Sequence, residues 1–280
     1  MNNITNNNRK ISIRKVRPVN LDAQDRAVEF LRKFDTILTD CDGVLYVNGD
    51  AVPGVPDVLN RLRALGKKIC FATNNSTKSR EAFLRKLRKL GYRAEMDELF
   101  PTCYSTAIYL KSIGFNRKVF VVGMDGISKE LEKVGIECIG VGEDPTPSDW
   151  AAGVADIDLD PEVGAVVIGF DNQISFPKLA KACSYVKRQG CLFIASNADE
   201  AYPSPADHPE VVVPGPGAYV AAIQAVTGKE PIQLGKPGKF FFDCIKYVHN
   251  DIEPKRTIMI GDRLTTDMVS FFSLNHCKRT

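Results

Sequence analysis

The chain has 280 residues, of which 44% are hydrophobic and 25% charged, enough to bury one large core or two smaller ones and typical of a globular protein. No apolar run approaches the ~18 residues that a membrane-crossing helix needs, so a membrane span is excluded as an expectation. The formal charge of +3 comes from Arg9, Lys10, Arg14, Lys15 and Arg17, all preceding the first acidic residue, Asp22; without these five the remainder carries −2. That leaves no basic surface with interleaved aromatics of the kind that nucleic acid requires.

Residues 1–20 form an Asn-rich, basic, poorly apolar stretch, read as a disordered tail. Its lack of acids is compatible with a mitochondrial presequence, but it is not Ser-rich and has no clear apolar stripe, which argues against one. Leu21 to Lys33 has helical spacing. Phe34 to Thr39 then reads as a strand that delivers Asp40-Cys41-Asp42-Gly43 to its end. Residues two apart on an extended chain point the same way, so Asp40 and Asp42 meet at one sheet edge. Val55 to Leu65 is helical, with Gly66 as its stop. Lys67 to Ala72 is the next strand, and it brings Thr73-Asn74-Asn75-Ser76-Thr77 to the edge already occupied by Asp40. Ser76 or Thr77 is placed to cap the following helix, whose apolar face carries Phe83, Leu84, Leu87 and Leu90. Its opposite face, Arg85, Lys86, Arg88 and Lys89, reads as solvated.

A second α/β series contains the strands Lys118–Val122, Gly164–Ile168 and Cys191–Ala195, with Asp125 expected to cap a helix and Asp156, Asp158 and Asp160 expected in a solvated loop. Pro214-Gly215-Pro216-Gly217 ends this series, since such a stretch cannot continue a regular element. The chain is then expected to return to the first core through a helix at Ala218–Val226 and a short strand at Pro231–Gly235. Lys236-Pro237-Gly238 and a helix over Lys239–Val248 follow, and the strand Thr257–Ile260 presents Gly261, Asp262 and Asp267. The organisation expected is a tail at 1–20, an α/β core from 21–103 and 215–280, and an inserted α/β unit at 104–214. The eight cysteines show neither Cys-x-x-Cys nor metal-ligand spacing, and read as reduced thiols of an intracellular, cytoplasmic protein.

Four strand ends therefore converge: Asp40 with Asp42, Thr73 with Asn74, Lys236, and Asp262 with Asp267. These side chains suit phosphoryl transfer, which needs a nucleophile in line with the bond to be broken, positive charge around the equatorial oxygens and a proton for the leaving alkoxide.

In this order, Asp-x-Asp-Gly-Val-Leu, strand-end Thr-Asn, Gly-Lys-Pro and Gly-Asp-Arg-Leu-x-Thr-Asp resemble the haloacid dehalogenase superfamily. The closest likeness is to its phosphoglycolate, pyridoxal and 4-nitrophenyl phosphatase group, through Thr73–Arg80 and Glu253–Leu264. The resemblance implies a Rossmann-like parallel-sheet core with an inserted α/β cap of the larger type. It implies an aspartyl-phosphate route with Asp40 as nucleophile, Asp42 as acid and then base, and a Mg²⁺ ion held by Asp40, the Asp42 carbonyl and Asp262. Thr73, Asn74, Asn75 and Lys236 would bind substrate, and Asp267 would orient a metal-bound water. Asp199 and Tyr202, in the stretch Ser196–Pro203, match the cap loop that faces the site, with Asp199 positioning it and Tyr202 near a position of substrate choice.

The implied substrate is a small phosphorylated metabolite resembling 2-phosphoglycolate, and a cap-mediated homodimer is the implied assembly. The likeness stops after Met268, so the chain reads as having a divergent, truncated end, with Phe271, Phe272 and Leu274 expected to cover the sheet edge beside Asp262. A non-catalytic binding or regulatory protein, and a pyridoxal-phosphate or phosphoprotein phosphatase, are the alternatives.

Overall fold

The computed structural model describes residues 24–202 and 207–268. The basic tail and the expected terminal cover, Phe271 to Leu274, lie outside these residues. Gln24–Arg32 forms α1, whose separate short unit ends at Phe34, where the Phe30 and Phe34 rings meet edge to face at 5.2 Å.

From Asp35 onward the chain builds two parallel sheets. Thr36–Thr39 (β1) is buried at every position, as expected for a central parallel strand covered on both faces. Tyr46–Val47 (β2) and Asp50–Ala51 (β3) form a hairpin absent from the sequence expectations. Asn48 and Gly49 occupy its turn with φ of 54° and 95°, the left-handed pair that a tight two-residue hairpin requires. Val55–Ala64 (α2) leads to Lys68–Thr73 (β4), and Arg80–Lys89 (α3) to Leu99–Pro101 (β5), an edge strand also unforeseen. Ser79, rather than Ser76 or Thr77, caps α3: its hydroxyl accepts from the Ala82 N–H. Thr77 is instead drawn into a turn, its N–H and hydroxyl both donating to Asn75 Oδ1.

The second series runs through Thr102–Ser112 (α4), Lys118–Val122 (β6), Asp125–Lys133 (α5) and Cys138–Ile139 (β7). Asp125 is the first residue of α5 rather than its cap, which is Met124. Trp150–Ala155 (α6), Val163–Ile168 (β8), Phe176–Lys187 (α7) and Leu192–Ala195 (β9) follow. Ala201–Tyr202 (β10) pairs antiparallel with Val213–Pro214 (β11), and Pro216–Thr227 (α8) begins immediately afterwards. The final elements are Ile232–Gln233 (β12), Lys239–Val248 (α9), Thr257–Ile260 (β13) and a π-helical turn at Leu264–Met268.

The first sheet has the order β13-β1-β4-β5 and the second β12-β9-β8-β6-β7. This corrects the expected return to the first core at residue 215. Ile232 and Gln233 pair with Ile194 and Ala195 of β9, and Val220 and Ile223 of α8 pack among Phe193, Val166 and Tyr185, so α8 and β12 complete the second sheet. The Pro-Gly stretch ends one element without ending the layer, because Pro216 starts α8 at a position where its missing N–H costs nothing.

The second sheet buries both faces, one against α7 and α8 and the other under α4 and α5 through Ala107, Leu110, Ile127 and Leu131. In the first sheet Leu38, Cys70, Ala72 and Phe100 pack against Phe241, Phe242 and Ile245 of α9. Thr39 lies opposite Phe71 of β4 and Ile260 of β13, and the Asp40 N–H extends the pairing with a 2.8 Å bond to the Ile260 carbonyl. Asp40, Thr73 and Asp262 thereby leave the same edge, the carboxyl end where parallel sheets bind ligands. Among the described residues no helix is long and apolar enough to cross a membrane.

Candidate active site

A cavity of about 620 Å³ lies beyond this edge, lined by Asp40, Asp42, Thr73, Asn74, Asn75, Lys236 and Asp262 from one side and by Phe170, Asn197, Asp199 and Tyr202 from the other. Asp267 is fully buried behind Lys236. The side chains expected from the four strand ends are thus brought together.

The Cys41 carbonyl organises the turn after β1 by accepting from the Leu45 N–H at 2.9 Å and the Tyr46 N–H at 3.3 Å. Gly43 sits at φ 84°, and a Cβ there would come within 2.4 Å of Asp262 Oδ2. Glycine is therefore required on two counts, backbone conformation and the close approach of a carboxylate. The Cys41 thiol is buried, and burial beside Asp40 and Asp42 raises its pKa well above the usual thiol value, which keeps it protonated.

Asp40 is 8% exposed and Lys236 3%. The Lys236 ammonium spends its three N–H groups on Asp40 Oδ1 at 2.8 Å, Asp267 Oδ1 at 2.7 Å and the Ala72 carbonyl at 2.9 Å. Burial by itself would depress this lysine, but the two carboxylates outweigh it and its pKa lies above the ordinary value. Burial pushes Asp40 up to about 6; the Lys236 charge opposes the rise and Asp267 adds to it. Asp40 is therefore ionised at neutral pH, yet less stabilised as an anion than an exposed carboxylate, a favourable state for a nucleophile.

Asp42 is half-buried and faces different partners. Its Oδ2 accepts from the Tyr46 hydroxyl at 3.1 Å and the Thr73 hydroxyl at 3.4 Å. Two carboxylates two residues apart thus lie in distinct environments, one beside an ammonium and one beside hydroxyls, as a division between nucleophile and proton carrier requires.

Asp40, Asp262 and Asp267 bring carboxylate oxygens within 4.8 Å of one another. Three carboxylates against the single Lys236 ammonium leave an uncompensated charge of −2, and the donors are all oxygens. This arrangement fits a hard divalent cation such as Mg²⁺. Asp262 is the exposed member, and Asp267 the fully buried one. Asp267 Oδ1 holds Lys236 and its Oδ2 accepts from the Arg263 N–H at 3.1 Å, so the residue also fixes the lysine and the turn after β13. A Cβ at Gly261 would fall 2.3 Å from this carboxyl group, which explains the glycine before Asp262.

Asn74 joins the two sheets. Its Oδ1 accepts from the Lys236 N–H at 2.8 Å, and its Nδ2 donates to the Lys236 carbonyl and to Asp199 Oδ2, both at 3.1 Å. Its carbonyl accepts from Thr102 Oγ1 and Asn197 Nδ2. Asp199 also accepts from Asn197 Nδ2 and from Arg263 Nη1, each at 3.1 Å, tying the loop after β9 to the loop after β13. Tyr202 is half-buried; it stacks on Phe170 with centroids 4.4 Å apart and interacts with the Asn75 side chain.

Four contributors were not foreseen: Tyr46, Lys86, Phe170 and Arg263. The expectation that Lys86 belongs to a solvated face is corrected by its position. It is half-buried, lines the cavity and places Nζ 3.2 Å from the centroid of the Tyr46 ring. Helical spacing puts it three residues after Phe83, on the flank of the packed face, and there the Tyr46 ring of the β2–β3 hairpin lies against its ammonium. No local sequence signal marked that contact.

The haloacid dehalogenase-like hydrolase family model matches residues 37–137, and a second, HAD-hydrolase-like, model matches 233–270. Rat (Rattus norvegicus) glycerol-3-phosphate phosphatase is 41% identical over 267 residues, covering 91% of this chain and 80% of that protein. Chloroplastic phosphoglycolate phosphatase 1A of Arabidopsis thaliana is 36% identical, covering 88% of this chain and 67% of the relative. Among solved structures, the p-nitrophenyl phosphatase from Archaeoglobus fulgidus superposes with a TM-score of 0.73 at 27% identity, covering 87% of this chain and 84% of that one. The chain belongs to the haloacid dehalogenase-like hydrolases. The relatives it matches are phosphatases.

Proposed function

We propose that this chain is a Mg²⁺-dependent phosphomonoesterase acting on small phosphate monoesters, with 2-phosphoglycolate and glycerol 3-phosphate, named in its relatives, as the lead substrates. The observation that carries this reading is the buried Asp40 carboxylate, held by Lys236 at the floor of the cavity, with Asp42 two residues away in a different environment.

The Asp40 oxygen not held at 2.8 Å by Lys236 attacks phosphorus as the bond to the ester oxygen breaks. Asp42 gives its proton to the departing alkoxide. It then takes a proton from water as that water attacks the aspartyl phosphate, which restores Asp40 and releases inorganic phosphate. The Thr73 hydroxyl and the Asn74 N–H bind the transferring oxygens, while Lys236 holds Asp40 in place and adds positive charge beside it. Asp40, Asp262 and the Asp42 carbonyl would hold Mg²⁺, which when bound supplies the charge that offsets repulsion between the carboxylates and the phosphate. The second sheet covers the cavity as a cap, and the loop from Ser196 to Tyr202 meets the leaving group.

Phosphate release from 4-nitrophenyl phosphate by the purified chain, with Mg²⁺ and after EDTA, tests the reading. Turnover that EDTA abolishes and Mg²⁺ restores is expected. A folded chain without turnover in Mg²⁺ is the result expected of a non-catalytic binding protein and overturns it.

A further inference from the structure

Three cationic side chains line the cavity. Lys236 is saturated by Asp40, Asp267 and the Ala72 carbonyl, and Arg263 is paired with Asp199. Lys86 differs from both: among the described residues no carboxylate lies within ion-pairing distance of its ammonium, which rests on the face of the Tyr46 ring at 3.2 Å. A half-buried cation that trades water for a ring face keeps part of its charge uncompensated.

The position of this cation relative to the reacting groups is set by a short chain of contacts. Lys86 sits on Tyr46, the Tyr46 hydroxyl donates to Asp42, and Asp42 stands two residues beyond Asp40. In the phosphomonoesterase reading, on which this inference rests, Asp40 marks the phosphorus and Asp42 the ester oxygen that leaves. Lys86 thus lines the same cavity on the Asp42 side, nearer to the group that protonates the leaving alcohol than to the cation that holds Asp40. Lys236 is held beside Asp40 at the phosphoryl end, and Lys86 is a separate cation on the Tyr46 side of Asp42.

We propose that Lys86 determines specificity by pairing with an anionic carboxylate on the alcohol part of the ester, favouring phosphorylated hydroxy acids over phosphorylated polyols. Burial lowers the pKa of Lys86; the Asp42 charge opposes this shift, and the charge of exposed Lys78 adds to it. A substrate carboxylate would place a negative charge beside Lys86 and replace its lost hydration with a charge-assisted hydrogen bond. The ring of Tyr46 holds the ammonium in place before substrate arrives, reducing the entropy lost on binding.

The test compares kcat and KM for 2-phosphoglycolate and glycerol 3-phosphate in the unaltered chain, Lys86→Gln and Lys86→Arg. With Lys86→Gln the ratio of the two specificity constants is expected to shift about tenfold against 2-phosphoglycolate, mainly through KM, as loss of a hydrogen bond to a charged group predicts. Lys86→Arg keeps the charge and should retain most of the preference. Melting temperatures of both variants establish that they are folded, and if Lys86→Gln does not fold, Lys86→Met is read in the same way. An unchanged ratio, whether both activities fall together or neither falls, overturns the assignment of Lys86. Turnover of 4-nitrophenyl phosphate by the unaltered chain reports on the phosphatase reading alone; a chain that hydrolyses none of the three esters overturns both.

Discussion

The two sheets of this molecule are built alike and equipped differently. Both are parallel, both bury their central strands, and the carboxyl ends of both reach one cavity. The first delivers carboxylates at fixed positions, Asp40 with Asp267 behind it and Asp262 beside Gly43, and Lys236 reaches Asp40 and Asp267 from beyond β12 at the edge of the second. The second delivers Phe170 after β8 and Asn197, Asp199 and Tyr202 after β9, side chains that stack or hold loops. Changes at the ends of the first sheet should therefore act on the chemical step and on stability together, whereas changes at the ends of the second should act on substrate binding.

The largest effect is expected for Lys236→Met, at the point where the end of the second sheet reaches the carboxylates of the first. It leaves Asp40 and Asp267 buried without their cation, so stability should fall by about 3–5 kcal/mol, as when one partner of a buried pair is removed. Turnover should fall by roughly 10²–10³. A denaturation curve and a steady-state assay on the same preparation check both, and a variant that loses activity at unchanged stability would show that the buried charges are not mutually dependent.

Gly43→Ala comes next. The left-handed backbone and the 2.4 Å approach to Asp262 should cost about 1–3 kcal/mol. Displacing Asp262 should also weaken Mg²⁺ binding by roughly 10–100-fold, measurable as the Mg²⁺ concentration for half-maximal activity. An unchanged Mg²⁺ requirement would remove Asp262 from the metal site.

On the second sheet, Asp199→Ala frees Arg263, Asn74 and Asn197 from their shared anchor. KM should rise about tenfold through misplacement of the loop, with a smaller change in kcat. A dominant loss in kcat would assign Asp199 to the chemistry instead. The mildest effect is expected for Tyr202→Leu, which removes the stack on Phe170; KM for small esters should rise by about twofold to tenfold, the worth of one aromatic contact. Stability should hardly change.

The same contrast explains how much could be read from the sequence. Asp40, Asp42, Thr73 and Asp262 were legible because a polar residue at the end of an apolar strand has its position fixed by the sheet, and parallel strands bring those ends together, whereas Lys236 and Asp267 were legible through the Gly-Lys-Pro and Gly-Asp-Arg-Leu-x-Thr-Asp motifs. Phe170 carried no such signal: an aromatic after the apolar run of β8 looks like more core. The Arg263–Asp199 pair joins loops 64 residues apart, and only tertiary packing brings them into contact. Lys86 was misread because a charge run draws attention to the exposed face, whereas this lysine sits on the flank of the packed one, where only tertiary structure brings Tyr46 against it. For α8 and β12, the two-residue strand Ile232–Gln233 is too short to show a period, and a Pro-Gly stretch marks the end of an element as readily as the end of a layer.

The central claim, that the reaction begins at Asp40, is tested most directly by measuring phosphate release from 4-nitrophenyl phosphate by Asp40→Asn in saturating Mg²⁺, alongside the unaltered chain at matched folding. Asparagine keeps the shape and removes the attacking anion, so turnover should drop by roughly 10³-fold or more. Substantial turnover retained by folded Asp40→Asn would contradict the account, and the nucleophile would then have to be sought elsewhere in the cavity.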